Sequence, residues 1–185
     1  MVRFLSENFS GHLERWSPPV VAEYFTERFW AERLAICTED FAADRAARFV
    51  LQPRRGREAP ASDDFANAPI LGTCNYTNIV RGAFHACHLG YQVARDQEGR
   101  GLMAEALRAT NEFMFGAMRL HRIMANFRPE NERSRRLLER LGFVEEGFAR
   151  GYLFIDGAWR DHVLTALTHP AFRDTWITHP LTGRH

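Results

Sequence analysis

Two glycines set between a strand and a helix constrain this chain more than any other feature. Phe84 to Val93 is rich in residues that suit a pleated surface and stops at the polar run Arg95, Asp96, Gln97, Glu98, which predicts a strand. From Gly101 onward, Leu102, Met103, Ala106, Leu107, Phe113, Met114, Ala117 and Met118 recur at three-to-four-residue spacing, which predicts a helix of about four turns. Gly99-Arg100-Gly101 lies between them. Glycines there remove the side chains that would block a ligand. They also let successive N–H groups converge on one spot, where the positive end of the helix dipole points. Such a turn suits an anion, most of all a phosphate; a glycine turn that merely joins strand to helix is the competing reading.

Two familiar phosphate sites fit poorly. Gly99-x-Gly101-x-x-Ala104 matches a dinucleotide fingerprint, but such a site needs a carboxylate about 20 residues further on to hold the ribose hydroxyls. That place falls near Met124, Ala125 and Asn126, with no acid before Glu130. An ATP-type loop fails as well, because no Lys-Ser/Thr pair follows the second glycine.

The rest of the chain divides into short alternating elements. Phe4 or Leu5, Phe9, Leu13 and Trp16 have helical spacing, and that helix should end before Pro18. A second helix is expected from about Val20 to Phe41, with Val21, Tyr24, Phe25, Phe29 and Leu34 on its apolar face. Arg48 to Gln52 reads as a short strand. Residues 53–69 lose all periodicity and read as an exposed loop, whose Arg54, Arg55 and Arg57 suit either solvent or RNA. Ile70 to Val80 and Ala83 to Val93 read as a hairpin about Arg81-Gly82, and Arg122 to Phe127 as a strand. Asn131 is a good N-cap for a helix carrying Ser134, Leu137, Leu138 and Leu141, closed by Gly142. Phe148 to Ile155 and Ala158 to Thr168 form a hairpin about Asp156-Gly157, and residues 170–185 read as an irregular tail. The expected architecture is one α/β domain over residues 1–185, a mixed sheet flanked by helices.

Composition narrows the function classes. With 24 basic and 23 acidic residues the net charge is +1, so no overall field draws the chain to nucleic acid or an acidic membrane. Cys37, Cys74 and Cys87 are an odd number at unrelated spacings, which suits a reducing compartment. Met1 to Trp16 has neither the charge pattern nor the apolar run of a signal peptide or span, so the cytoplasm is the expected location.

Four stretches of the C-terminal half carry a family resemblance. They are Gly-Arg-Gly-Leu-Met-x-Glu-Ala-Leu from Gly99; His-Arg-Ile-Met-Ala-Asn-Phe-x-Pro-x-Asn-x-x-Ser from His121; Leu-Leu-x-Arg-Leu-Gly-Phe-x-x-Glu-Gly from Leu137; and Tyr-Leu-x-Ile-Asp-Gly-x-Trp-Arg-Asp-His-Val-Leu-Thr-Ala-Leu-Thr from Tyr152. Together they resemble the GNAT acetyltransferases, and within them the ribosomal-protein-alanine N-acetyltransferases of the RimJ type, over about Ile70 to Thr168.

The resemblance implies the acyl-CoA N-acyltransferase fold, a mostly antiparallel central sheet flanked by helices. Such proteins usually begin with a strand ahead of the first helix; this chain starts at the helix, so that first strand is expected to be lacking. The implied activity is transfer of acetyl from acetyl-CoA, without a metal, to the N-terminal α-amine of a protein, an alanine on a small-subunit ribosomal protein. The alternatives are a small-amine acetyltransferase acting on an antibiotic or a polyamine, the latter marked by a strongly acidic pocket, and a non-catalytic protein that binds acetyl-CoA or assists ribosome assembly.

The resemblance also assigns residues. Backbone N–H groups of Gln97, Glu98, Gly99, Arg100, Gly101 and Leu102 would hold the coenzyme A pyrophosphate, with Asp96 standing where the family has Gln or Arg. Leu89, Gly90, Tyr91, Gln92 and Val93 would offer a strand edge to the pantetheine amides, and the Leu89 N–H would polarise the acetyl carbonyl. Asn131 would bind pantetheine, or simply cap its helix. Ser134 would serve the leaving thiolate, or simply pack. For the base, His85 and His88 lie on the strand beside the site, while Tyr152 and Asp161 suit the acceptor pocket. Two histidines three apart on a strand face opposite ways, so a shared metal is not expected. Cys87 shares a face with His85 and is either an acyl carrier or an ordinary buried thiol. An α-amine titrates near 7.7 to 8.0, whereas a lysine near 10.4 costs about 3 kcal/mol more to deprotonate, so a chain without an obvious base favours the N-terminus as acceptor.

Overall fold

A computed structural model describes residues 1–53 and 68–172. Residues 54–67, with Arg54, Arg55 and Arg57, and the tail from residue 173 lie outside the described residues.

The chain opens with helix α1, Val2–Asn8, and not with the single helix to Trp16 that the spacing predicts. Gly11 takes a left-handed φ of +67°, which breaks the helix, and a short tight turn re-forms over Glu14–Trp16. The apolar face survives the break, with Phe4, Leu5 and Leu13 all buried. Helix α2 is Glu27–Ala42 and likewise starts later than its periodicity suggests. Thr26 explains the start: its side chain accepts from Phe29 N at 3.3 Å as an N-cap, and the preceding Ala22–Phe25 forms a separate tight turn. Val21 and Leu34 of the expected apolar face are exposed.

Six strands form one sheet among the described residues: β1 Ala47–Leu51, β2 Gly72–Val80, β3 Ala86–Val93, β4 Arg122–Phe127, β5 Val144–Ile155 and β6 Ala158–Thr168, in the order β1-β2-β3-β4-β6-β5. β3 and β4 are parallel and the other neighbours antiparallel. No strand precedes α1 among the described residues. β3 begins at Ala86, later than expected, because His85 has a positive φ of 41°. β5 begins at Val144, earlier than expected; Glu145, Glu146 and Gly147 hide it by breaking the apolar alternation of an exposed edge strand.

Helix α3, Leu102–Gly116, and helix α4, Glu132–Arg140, cover one face of the sheet. Met103, Leu107 and Met114 of α3 and Leu138 of α4 pack with Cys74, Tyr76, Cys87, Leu89, Ile123 and Ala125 of the central strands. The deeply buried phenol of Tyr76 is satisfied: it donates to Asn111 Oδ1 at 2.6 Å and meets Thr110 Oγ1 at 2.8 Å. Alternation along the strands turns Asn75, Gly90 and Gln92 to the other face, where the N-terminal segment lies. That segment gathers its own cluster of Phe4, Leu5, Leu13 and Ala94, backed by Tyr24 and Trp30.

Candidate active site

The site grows from an interrupted ladder. Pairing of β3 with β4 runs Ala86↔Arg122, Cys87↔Ile123, His88↔Met124 and stops there, although β3 continues to Val93 and β4 to Phe127. Which β3 groups face the opening follows from one hydrogen bond. Ala94 N donates to Leu71 O at 2.8 Å, and along an antiparallel ladder such bonded positions alternate. Gln92, Gly90 and His88 therefore turn their backbone groups toward β2, while Leu89, Tyr91 and Val93 turn theirs toward the β4 side, where the last rung, His88↔Met124, takes up the Leu89 N–H and Tyr91 and Val93 lie beyond it. His12 Nε2, donating to Val93 O at 3.0 Å, marks the same direction. Of the five residues expected to offer an edge, Tyr91 and Val93 face the opening beyond the last rung, and Val93 O is taken by His12. Gly90 and Gln92 line the neighbouring pocket instead.

β3 leads into the glycine turn. Gly99 and Gly101 have φ of +74° and +79°, and a Cβ built on either would meet nothing within 4 Å. The space in front of the turn is open, and Gly101 stands at the N-cap of α3 with no side chain to close it. Asp96 lies in the short turn Arg95–Gln97, where its carboxylate accepts from Gln97 Nε2 at 3.0 Å. The strand exit is held from the other side: buried Asn8 accepts from Arg95 N at 2.8 Å and donates to Phe4 O at 2.9 Å.

α4 supplies the second wall. Asn131 Oδ1 accepts from Ser134 N at 3.1 Å, the geometry of an N-cap. Ser134 Oγ lies 2.6 Å from the Tyr91 hydroxyl. Burial pushes the Tyr91 phenol up to about 12, against the opposing effect of the Ser134 hydrogen bond.

A cleft of about 1400 Å³ runs along these parts, from Tyr91, Asn131 and Ser134 past the glycine turn to Arg136 and Arg140. Six arginines and three glutamates line it, and Arg133 is paired with Glu98. The excess is cationic and suits a polyphosphate. Beside it, sharing Tyr91, Gln92 and Ser17, a smaller pocket of about 360 Å³ is lined by Phe9, Pro18, Val20, Tyr24, Asn75 and Gly90. Among the described residues no charged side chain lines this second pocket.

The other expected residues fall in different places. His85 stands apart, four residues before Leu89 and so about 13 Å away along the strand. Its Nδ1 donates to Gly82 O, and its ring lies 5.7 Å from Phe172. His88 ends the β3–β4 ladder, and burial holds its pKa below the ordinary value. Tyr152 accepts from Asn126 Nδ2 at 3.1 Å and packs its ring 5.4 Å from His162. Asp161 is occupied in accepting from Gly151 N at 2.8 Å. Cys87 is fully buried, and burial pushes its thiol up to about 12, which is the environment of an ordinary buried thiol. Among the described residues no group of three or more His, Cys, Asp or Glu side chains is placed to hold a metal.

Three participants escape the sequence. The Tyr91 side chain, His12 and the pocket around Tyr24 and Asn75 depend on contacts between segments far apart in the chain, which local patterning does not report.

Comparison with known proteins bears on this arrangement. Residues 9–144 match the model of the acetyltransferase (GNAT) domain. The chain belongs to the GNAT acetyltransferase family. It is 44% identical over 158 residues to the [ribosomal protein uS5]-alanine N-acetyltransferase of Escherichia coli, covering 85% of this chain and 76% of that protein. Among solved structures, the ribosomal-protein-S5-alanine acetyltransferase of Vibrio fischeri superimposes with a TM-score of 0.82 at 37% identity, over 93% of this chain and 87% of that one. RimJ of Mycobacterium smegmatis, in complex with CoA-disulfide, gives 0.78 at 31% identity, over 90% and 75%.

This GNAT chain is an N-acetyltransferase, and its own residues fit the acetyl donor the family uses. An outward strand edge, an open left-handed glycine turn at a helix start and a cationic lining border one cleft.

Proposed function

We propose that this protein transfers the acetyl group of acetyl-CoA to the N-terminal α-amine of a ribosomal protein, an alanine on the small subunit, in the cytoplasm. The observation that carries this reading is the open edge of β3 beyond the His88↔Met124 rung, where the Tyr91 backbone faces the gap beside a pocket that, among the described residues, no charged side chain lines. The names of the relatives, which act on ribosomal protein uS5 alanine, support the same acceptor.

Acetyl-CoA supplies an activated acetyl thioester. The backbone groups of Tyr91 and Val93 align its amide-bearing arm as an added strand, and N–H groups from Gln97 through Leu102 receive the pyrophosphate. Asn131 caps α4 and fixes the wall opposite. A β3 backbone N–H near Leu89, just beyond the last rung, donates to the acetyl oxygen, where negative charge develops as the amine attacks. Ser134 donates a hydrogen bond to the sulfur as the C–S bond breaks.

The acceptor pocket counts against a polyamine. A polycation needs carboxylates, and Phe9, Pro18, Val20, Tyr24 and Asn75 offer none. A small, neutral N-terminal residue fits such a lining. A neutral α-amine also needs little help from a base, which accords with His85 lying away from the gap and with Tyr152 occupied by Asn126.

Mass spectrometry of ribosomal proteins from cells with and without the gene tests the proposal. One small-subunit protein should lose an N-terminal acetyl group in the deletion strain and regain it on complementation. An unchanged set of ribosomal N-termini contradicts the proposal.

A further inference from the structure

Tyr91 enters the site twice. Its backbone groups face the gap between β3 and β4, while its ring reaches α4 so that the hydroxyl meets Ser134 Oγ at 2.6 Å. A serine in the first turn of a helix often returns its proton to a nearby backbone carbonyl. Here Ser134 Oγ meets the phenol instead.

We propose that Tyr91 is the positioning residue of the transfer step: its phenol donates to Ser134 Oγ and so turns the proton of Ser134 toward the departing sulfur. The inference rests on the reading of Ser134 as the donor to the leaving thiolate. Each hydroxyl carries one proton, so the direction of this bond decides which proton is left for the cleft that both residues line. A phenol is a stronger acid than an aliphatic alcohol, which makes Tyr91 the better donor and Ser134 the better acceptor. Burial keeps the phenol protonated, at about 12. A thiol titrates near 8.5, so passing the tyrosine proton to the thiolate is uphill by more than three pH units, and the phenol polarises Ser134 without ionising. The balance closes without it. The amine nitrogen forms the C–N bond, the C–S electron pair goes to sulfur, and the proton released by the amine is the one that finally rests there.

Steady-state kinetics on Tyr91→Phe, Ser134→Ala and the double variant, with acetyl-CoA and an alanine-terminated peptide, test this. Tyr91→Phe should lower kcat about five- to ten-fold, the size of one neutral hydrogen bond, with little change in the KM for acetyl-CoA. The double variant should lose no more than Ser134→Ala alone. Placing 3-fluorotyrosine at position 91 keeps the ring and the donor and should restore kcat, which a packing role does not predict. Full kcat in Tyr91→Phe beside an impaired Ser134→Ala overturns the proposal, as do losses that simply add. Full activity in Ser134→Ala removes the role of Ser134 itself, and the two failures are thereby distinguished.

Discussion

Gly101 has a left-handed φ of +79° with open space where a Cβ would stand, so a substitution there acts through the backbone and through whatever occupies the space. Gly101→Val should weaken acetyl-CoA binding by about ten-fold or more, because left-handed backbone costs a non-glycine residue about 1–2 kcal/mol and the isopropyl group projects where the phosphates would sit. Calorimetry reads this directly; unchanged affinity in a folded variant contradicts the phosphate-turn assignment. His88 and His162 make a second prediction. Burial is the main cause that holds both below their ordinary pKa, so the unfolded chain binds more protons than the folded one in the window just below pH 6.5. Stability should therefore fall as pH drops through that window, by at most about 1.4 kcal/mol per pH unit for each histidine. His162→Asn should flatten the urea-denaturation profile between pH 6.5 and 5; a profile as steep as wild type argues against it. At this scale the sequence was most informative where chemistry is local. Gly99, Gly101, Asn131 and Ser134 all lie in the cleft, as their spacing suggests. The contact of the Tyr91 side chain was not legible, since its partner is 43 positions away.

Elements show where local rules end. α4 was legible because Asn131, three residues before Ser134, signals its own cap. Asn131→Ala should cost about 1 kcal/mol in stability, whereas Asn131→Asp, which keeps an acceptor for Ser134 N, should retain most of it. Equal losses in thermal denaturation of the two variants count against the capping role. α1 and α2 were misjudged at their boundaries for opposite reasons: a periodic apolar face continued across Gly11, which breaks the backbone, and across Thr26, which starts a new helix. β5 was shortened because an exposed edge strand does not need alternation. The interruption between β3 and β4 carries no local signal, because it depends on how two strands in parallel register part company.

The whole molecule combines a near-neutral charge with a cationic cleft, so the fit to a polyphosphate comes from the lining of that cleft and not from the overall field. Fold class followed from the order of elements and from the family motifs; the position of the smaller pocket did not, since it forms where the N-terminal segment meets β2 and β3. The central claim concerns the amine. Two peptides decide it, one with a free N-terminal alanine and one blocked at its N-terminus but carrying an internal lysine, with kcat/KM measured from pH 5.5 to 9. The alanine peptide should be acetylated, at a rate that rises through the pKa of its own amine near 7.7 to 8.0 and then levels, while the lysine peptide is not. Preference for the lysine peptide would contradict the account.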